Sequence, residues 1–391
     1  MAGRVFRKRH ILIGTRVFLA VIMMAGMYFF VRQIVQSRSI GRLVSDMNTR
    51  VGPMGAWFVR NQTQRGDFVY EQYAATGDTV PGNNIVRQAG ALYALAKLYR
   101  HSKKEDIRET LDRGIAFFRD VTVTPSSNTR AVQYDGEIRS NTIALLILAM
   151  AEYLESETAT NADVLTRELS EYAQYLVLTQ VHSGGYINAH QVKNAESDYN
   201  NGETMYALIR SYEIIGNPLY LTSVRKAADY AMQKYGIGKF NASFYSWGMA
   251  AFAYLYGIDP QEAYWTFMKE YTDRYMETRG KRYEQSVADS ALPKVPPGAA
   301  VFLEGVVHVA WAALYKDQWY ARDLRKHIDT VLPYLIRYEI NSPFGWYLSH
   351  NANLSGAVCS QASCETTRID FTQHLLSAIL LRHRFLDETG K

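Results

Sequence analysis

The chain has 391 residues, 48% of them hydrophobic and 21% charged, with a formal net charge of +5. This balance excludes a disordered chain, which would carry fewer apolar residues and more net charge. Arg4, Arg7, Lys8, Arg9 and Arg16 together match the whole excess, so the rest of the chain is close to neutral and nucleic acid is excluded as a partner.

The chain opens on a basic tail, residues 1–10, followed by a run from Ile11 to Val31 that is apolar except for Thr15 and Arg16. At about 1.5 Å per residue a helix over this run spans about 31 Å, the hydrocarbon thickness of a bilayer. Arg16 lies one turn from the basic end, where a long side chain reaches the headgroups. No small-x-small cleavage site follows; Gln33, Gln36, Ser37 and Arg38 come instead, so 11–32 reads as an uncleaved transmembrane signal anchor. The basic tail stays in the cytosol, which places a stem, 33–60, and everything beyond it on the far side. A stem this short points to a bacterial inner membrane, with the main domain in the periplasm. In that oxidising compartment Cys359 and Cys364 are expected to bond to each other; they lack the C-x-x-C spacing of a metal pair.

From 61 to 391 a pattern recurs. Segments apolar on most faces begin near Gln88, Asn141, Glu203, Trp247, Glu304 and Asp370, as helices buried on two sides must be. Amphipathic helices with a charged stripe alternate with them, at 105–121, 163–181, 218–235, 260–279 and 319–340. Asn217 before Pro218 and Asp259 before Pro260 read as N-caps, and Pro333 predicts a kink. Aromatic stretches beside glycine or ahead of an inner helix, at 66–70, 132–136, 184–188, 240–245 and 344–348, read as strands or hairpins. A helix pair with such a face cannot bury it alone, whereas six stacked in a closed ring can. The expected fold is therefore all-α: an (α/α)6 toroid with short β-hairpins at one rim, preceded by one transmembrane helix. An open α-solenoid is the alternative.

The stretches Asn84-Ile-Val-Arg-Gln-Ala-Gly-Ala-Leu-Tyr-Ala-Leu and Asn200-Asn-Gly-Glu-Thr-Met-Tyr-Ala-Leu-Ile-Arg-Ser-Tyr-Glu-Ile-Ile-Gly-Asn resemble inner helices of the six-hairpin glycosidase-like superfamily. That group includes glycoside hydrolases, uronyl hydrolases, sugar epimerases of the glucuronyl C5 and N-acylglucosamine 2 types, and some polysaccharide lyases. The resemblance covers 66–386 and implies a carbohydrate-active enzyme. It is one of architecture, so no catalytic residue is transferred from it.

Candidate residues come instead from position. If the inner helices start at one rim, their first turns and the preceding hairpins line one mouth. Glycoside hydrolysis needs two carboxyl groups, and Glu203, Glu304 and Asp370 stand at or near helix starts as catalytic candidates; a carboxylate that only complements the helix dipole is the competing reading for each. Arg87, Asn141, Asn201, Tyr245, Trp247, His308, Arg368 and His374 are the substrate-binding candidates, a mixture that suits a sugar chain. A uronic acid epimerase or lyase would draw on Tyr245, His308, Arg87 and Arg368 as base and charge neutraliser. No cofactor is expected. The alternative is a divalent metal such as Zn or Mn, because Glu304 with His308 and Asp370 with His374 repeat a carboxylate–histidine spacing of four. The resulting expectation is a membrane-anchored hydrolase, epimerase or lyase acting on a polysaccharide or envelope glycan, with a non-catalytic glycan- or partner-binding toroid as the alternative.

Overall fold

The computed structural model describes residues 47–188, 196–289, 295–341 and 351–389, with Met23 and Ser45 besides. The chain divides into two units, Met1–Asp46 and Met47–Lys391, and only the second is described at length. The expected anchor over 11–32 and strand over 344–348 lie outside the described residues.

The expected stem ends earlier than the sequence suggested. Residues 47–61 form a helix, α1, that buries Met47, Val51, Met54, Trp57 and Phe58 and belongs to the main unit. Those residues recur every three or four positions, which is the signature of a helix with one apolar stripe. α1 supplies the sixth outer helix, which periodicity had not revealed because the search for it began at residue 61.

The inner helices are α2 (Ile85–Ser102), α4 (Ser140–Leu154), α6 (Asp198–Ile215), α8 (Ala242–Ile258), α11 (Ala299–Lys316) and α13 (Ile369–Thr389). Each packs on the next and α13 packs on α2, so the ring closes; the open solenoid is excluded. Outside them lie α1, α3 (Glu105–Asp120), α5 (Ala162–Leu178), α7 (Pro218–Gly236), α9 (Glu262–Tyr275) with its continuation α10 (Lys281–Asp289), and α12 (Gln318–Leu335). Ala299–Lys316 is long and apolar enough to cross a membrane, but it is packed between α8, α12 and α13 as a core helix.

Three inner helices begin about five residues before the expected points. Asn241 caps α8, its side chain accepting from the amides of Ser243 and Phe244, so 240–245 is a helix start and not a strand. Glu203, Trp247 and Glu304 consequently lie more than one turn inside their helices. Asn217 caps α7 as expected, whereas Asp259 ends α8 and α9 starts after Gln261. The outer helix expected at 260–279 passes through a π turn at Met276–Gly280 and runs on to Asp289.

Short strands sit where chain enters the inner helices. β1 (Glu71–Tyr73) pairs antiparallel with β5 (Thr366–Arg368), joining the first and last described inner-helix entries, and β2 (Thr122–Val123), β3 (Ala131–Tyr134) and β4 (Glu137–Ile138) form the sheet before α4. Cys359 and Cys364 are bonded to each other just before β5, as the sequence led us to expect.

The inner ring is tight enough to need glycine at its seams. A Cβ on Gly202 would lie 2.7 Å from the Gly248 amide nitrogen and 2.9 Å from Trp247 Cβ, where α6 meets α8. Backbone cannot yield as a side chain can, so Gly202→Ala is expected to lower stability by about 1–3 kcal/mol. A reduced urea midpoint with an unchanged slope would show it.

Candidate functional site

Counting from each helix start organises the interior. Glu203, Trp247, Glu304 and His374 each occupy the sixth position of their helix, on α6, α8, α11 and α13. Arg87, Asn141 and Asp370 stand at the second or third position, one turn nearer the rim. Tyr93 and Tyr206 occupy the ninth, and Lys97, Glu152, Arg210, Tyr254 and Trp311 the thirteenth. Seven of the eleven candidates (Glu203, Glu304, Asp370, Arg87, Asn141, Trp247 and His374) thus lie in the first two turns of six parallel helices.

The strongest local arrangement joins α11 and α13. His374 Nδ1 lies 2.6 Å from Glu304 Oε1, with the imidazole 19% exposed and the carboxylate 4%. On its other side Glu304 Oε2 meets the buried Lys97 ammonium at 3.6 Å. That ammonium sits 3.9 Å from the centre of the Tyr93 ring, and the Tyr93 hydroxyl lies 3.0 Å from that of Tyr206. Burial lowers the Lys97 pKa, with Glu304 opposing the shift. A carboxylate can only accept hydrogen bonds, so it fixes the proton on Nδ1 and leaves Nε2 as the basic position of the ring. The His374 ring also neighbours Trp247, 6.2 Å between centres.

Asp370 does not join this pair. Its carboxylate is held by Arg368, with contacts of 2.7 and 3.0 Å, and by Arg87 at 3.1 Å, so it fixes two guanidinium groups at the rim. Tyr70 accepts a hydrogen bond from Arg87 and lies under the Arg368 guanidinium. Glu203 is 4% exposed, and its Oε2 has no hydrogen-bond partner among the described residues. Burial pushes its pKa up to about 8, so it is a neutral carboxyl at pH 7. Asn141 is half-buried, its amide nitrogen 3.4 Å from Asn188 Oδ1.

Three candidates face elsewhere. Asn201 accepts from the Tyr186 amide and donates to the Tyr235 hydroxyl, which ties the loop before α6 to α7. Tyr245 is fully buried toward α9, stacked on Tyr275 with its hydroxyl 3.3 Å from Thr272 Oγ1, because two residues before Trp247 a side chain leaves the opposite face of the helix. His308 lies one turn below Glu304 between the Tyr206 and Tyr254 rings, and burial, reinforced by nearby cations, keeps it neutral. The suggested four-ligand metal set is not assembled: Asp370 is engaged by arginines, and no three His, Cys, Asp or Glu side chains among the described residues are placed to hold a metal.

Lys97, Tyr93 and Tyr206 were missed by sequence reading. Their signal was a polar or aromatic residue at the ninth or thirteenth position of an otherwise apolar helix, legible only once the helix starts are known.

The fold is the (α/α)6 architecture of the six-hairpin glycosidase-like superfamily. A D-mannose isomerase superposes with a TM-score of 0.59 at 15% identity, over 86% of this chain and 97% of its own. The cellobiose 2-epimerase of Spirochaeta thermophila gives 0.61 at 13% identity, over 90% of this chain and 99% of its own. A family 76 glycoside hydrolase (mannosidase) of Bacteroides thetaiotaomicron gives 0.60 at 12%, over 88% of this chain and all of its own, 100%. No protein-family model and no curated protein sequence matches the chain. At these identities the likeness is one of fold.

Proposed function

We propose that the chain is a carbohydrate-active enzyme whose mouth moves a proton on a sugar, in the manner of an epimerase or isomerase. The Glu304–His374 contact carries this reading: a partly exposed imidazole is held in one tautomer by a buried carboxylate, which is how a general base is oriented. Removal of a proton from the carbon beside an open-chain sugar's carbonyl leaves negative charge on oxygen. Arg87 and Arg368, fixed by Asp370 at the same rim, are suited to stabilise it. Isomerase and epimerase names among the structural neighbours support the same class. The apolar run with its basic flank supports a single-pass anchor, N-terminus cytosolic, with the toroid acting on a glycan in the periplasm.

A second reading, glycoside hydrolysis, is favoured by Glu203, a carboxyl kept protonated by burial as a general acid must be. One experiment separates the two. The full chain is incubated in D2O with mannose, glucose, cellobiose and mannotriose, and the products are followed by NMR. Deuterium entering at the carbon next to the carbonyl, without loss of glycosidic bonds, is the expected result. Bond cleavage without exchange replaces it with the hydrolase reading, and neither change leaves a binding toroid.

A further inference from the structure

The far end of the ring carries a second cavity, away from the mouth. It measures about 620 Å³ and lies among the C-terminal ends of α6, α8, α11 and α13, with Arg210, Tyr254, Trp311, Tyr315 and Arg384 in its wall. A shallower hollow of about 530 Å³ adjoins it, sharing Tyr315 and Glu388 and adding Trp319. Trp311, Tyr315 and Trp319 follow one another at intervals of four residues across the α11–α12 turn. Tyr315 is 83% exposed and Trp319 75%, an unusual exposure for rings of this size.

The charges of the cavity are already balanced, and one donor is not. Arg210 is 2% exposed and lies over the Tyr254 ring. Its two terminal nitrogens donate to Glu213 and Glu155, while its buried Nε has no partner. Arg384 stacks on Trp311 at 4.6 Å and reaches Glu388 at 3.2 Å and the Tyr254 hydroxyl at 3.4 Å. An anionic ligand would be brought against Glu155, Glu213 and Glu388, and a cationic one against Arg210 and Arg384; either raises the energy of charges that are now paired. A purely apolar ligand would leave the buried Nε–H unsatisfied. What remains is an uncharged molecule with acceptor oxygens on its edge and apolar C–H faces to lie on aromatic rings. A pyranose has both.

We infer that this end of the toroid is a second glycan site, which takes a neutral oligosaccharide along the Trp311–Tyr315–Trp319 track with a hydroxyl oxygen on Arg210 Nε. It shares no residue with the mouth and stands whether the mouth isomerises, hydrolyses or only binds. The site would hold a glycan chain on the enzyme while another part of it, or another chain, is processed at the opposite rim.

Hydroxyl-radical footprinting of the full chain in lipid nanodiscs tests the assignment, with mannotriose, cellotriose and trigalacturonate as probes. Either neutral trisaccharide, at concentrations of about 10 mM suited to a millimolar site, should protect Trp311, Tyr315 and Trp319 but not Ile237, an exposed residue after α7. Trigalacturonate should not protect them. Tyr315→Ala, at a side chain too exposed to matter for folding, should weaken the protection of Trp319 about tenfold. Protection confined to mouth residues, no protection by either neutral sugar, equal protection by trigalacturonate, or indifference to Tyr315→Ala would each overturn the inference.

Discussion

Replacing His374 by alanine is expected to lower turnover on the responsive sugar by about 10²–10⁴-fold, the usual contribution of a positioned acid–base group, with folding nearly unchanged. The side chain is partly exposed and its one strong contact is to Glu304, so little packing is lost. Glu304→Gln separates positioning from chemistry. The amide oxygen can still accept from Nδ1, but the anion that favours a charged imidazole is gone, so the basic limb of the kcat/KM profile should move to lower pH along with a fall in kcat of about 10²-fold. The same change strands the Lys97 ammonium in the ring interior, and uncompensated buried charge costs about 3–5 kcal/mol. Lys97→Met added to Glu304→Gln should recover the stability and leave the kinetic defect. If turnover returned together with stability, Glu304 would be a structural residue only.

The ring itself was legible because each inner helix announces its burial as a long apolar segment and each outer helix shows a charged stripe. What could not be read was where those helices begin. Asn241 and the Pro296–Pro297–Gly298 turn start α8 and α11 about five residues early, and nothing in the hydrophobic pattern marks such starts because these first turns are themselves apolar. The displacement moved Glu203, Trp247 and Glu304 from the rim into the interior, and it changed their chemistry from exposed carboxylates to one desolvated acid and one ion-paired orienter. Tyr245 was misassigned for a related reason: being two residues from Trp247 in sequence places it on the other face of the helix. The Glu304–His374 pair lies 70 residues apart and on two helices, so spacing suggested each residue's own i,i+4 partner and not the contact across the ring. Helix α1 was overlooked because a membrane anchor ahead of it made a stem the natural reading.

The largest stability effect with pH should come from Glu203. Its folded-state pKa of about 8 stands above the ordinary 4.5, with burial as the cause. Between those values the folded protein keeps the proton that the unfolded chain releases, so rising pH favours unfolding. The stability held by the neutral form is complete below pH 4.5, is lost progressively up to about pH 8, and changes no further above it. Glu203→Gln has nothing to titrate, so relative to the parent it should gain about 3 kcal/mol between pH 4.5 and pH 7. Urea midpoints of both proteins across that range measure the difference, and using the difference cancels every other titrating group. A difference that stays constant would mean that Glu203 ionises normally in the folded ring. A growing one would establish an uncharged carboxyl in the same turn as the Glu304–His374 pair, able to donate a proton at neutral pH where an ordinary glutamate could only accept one.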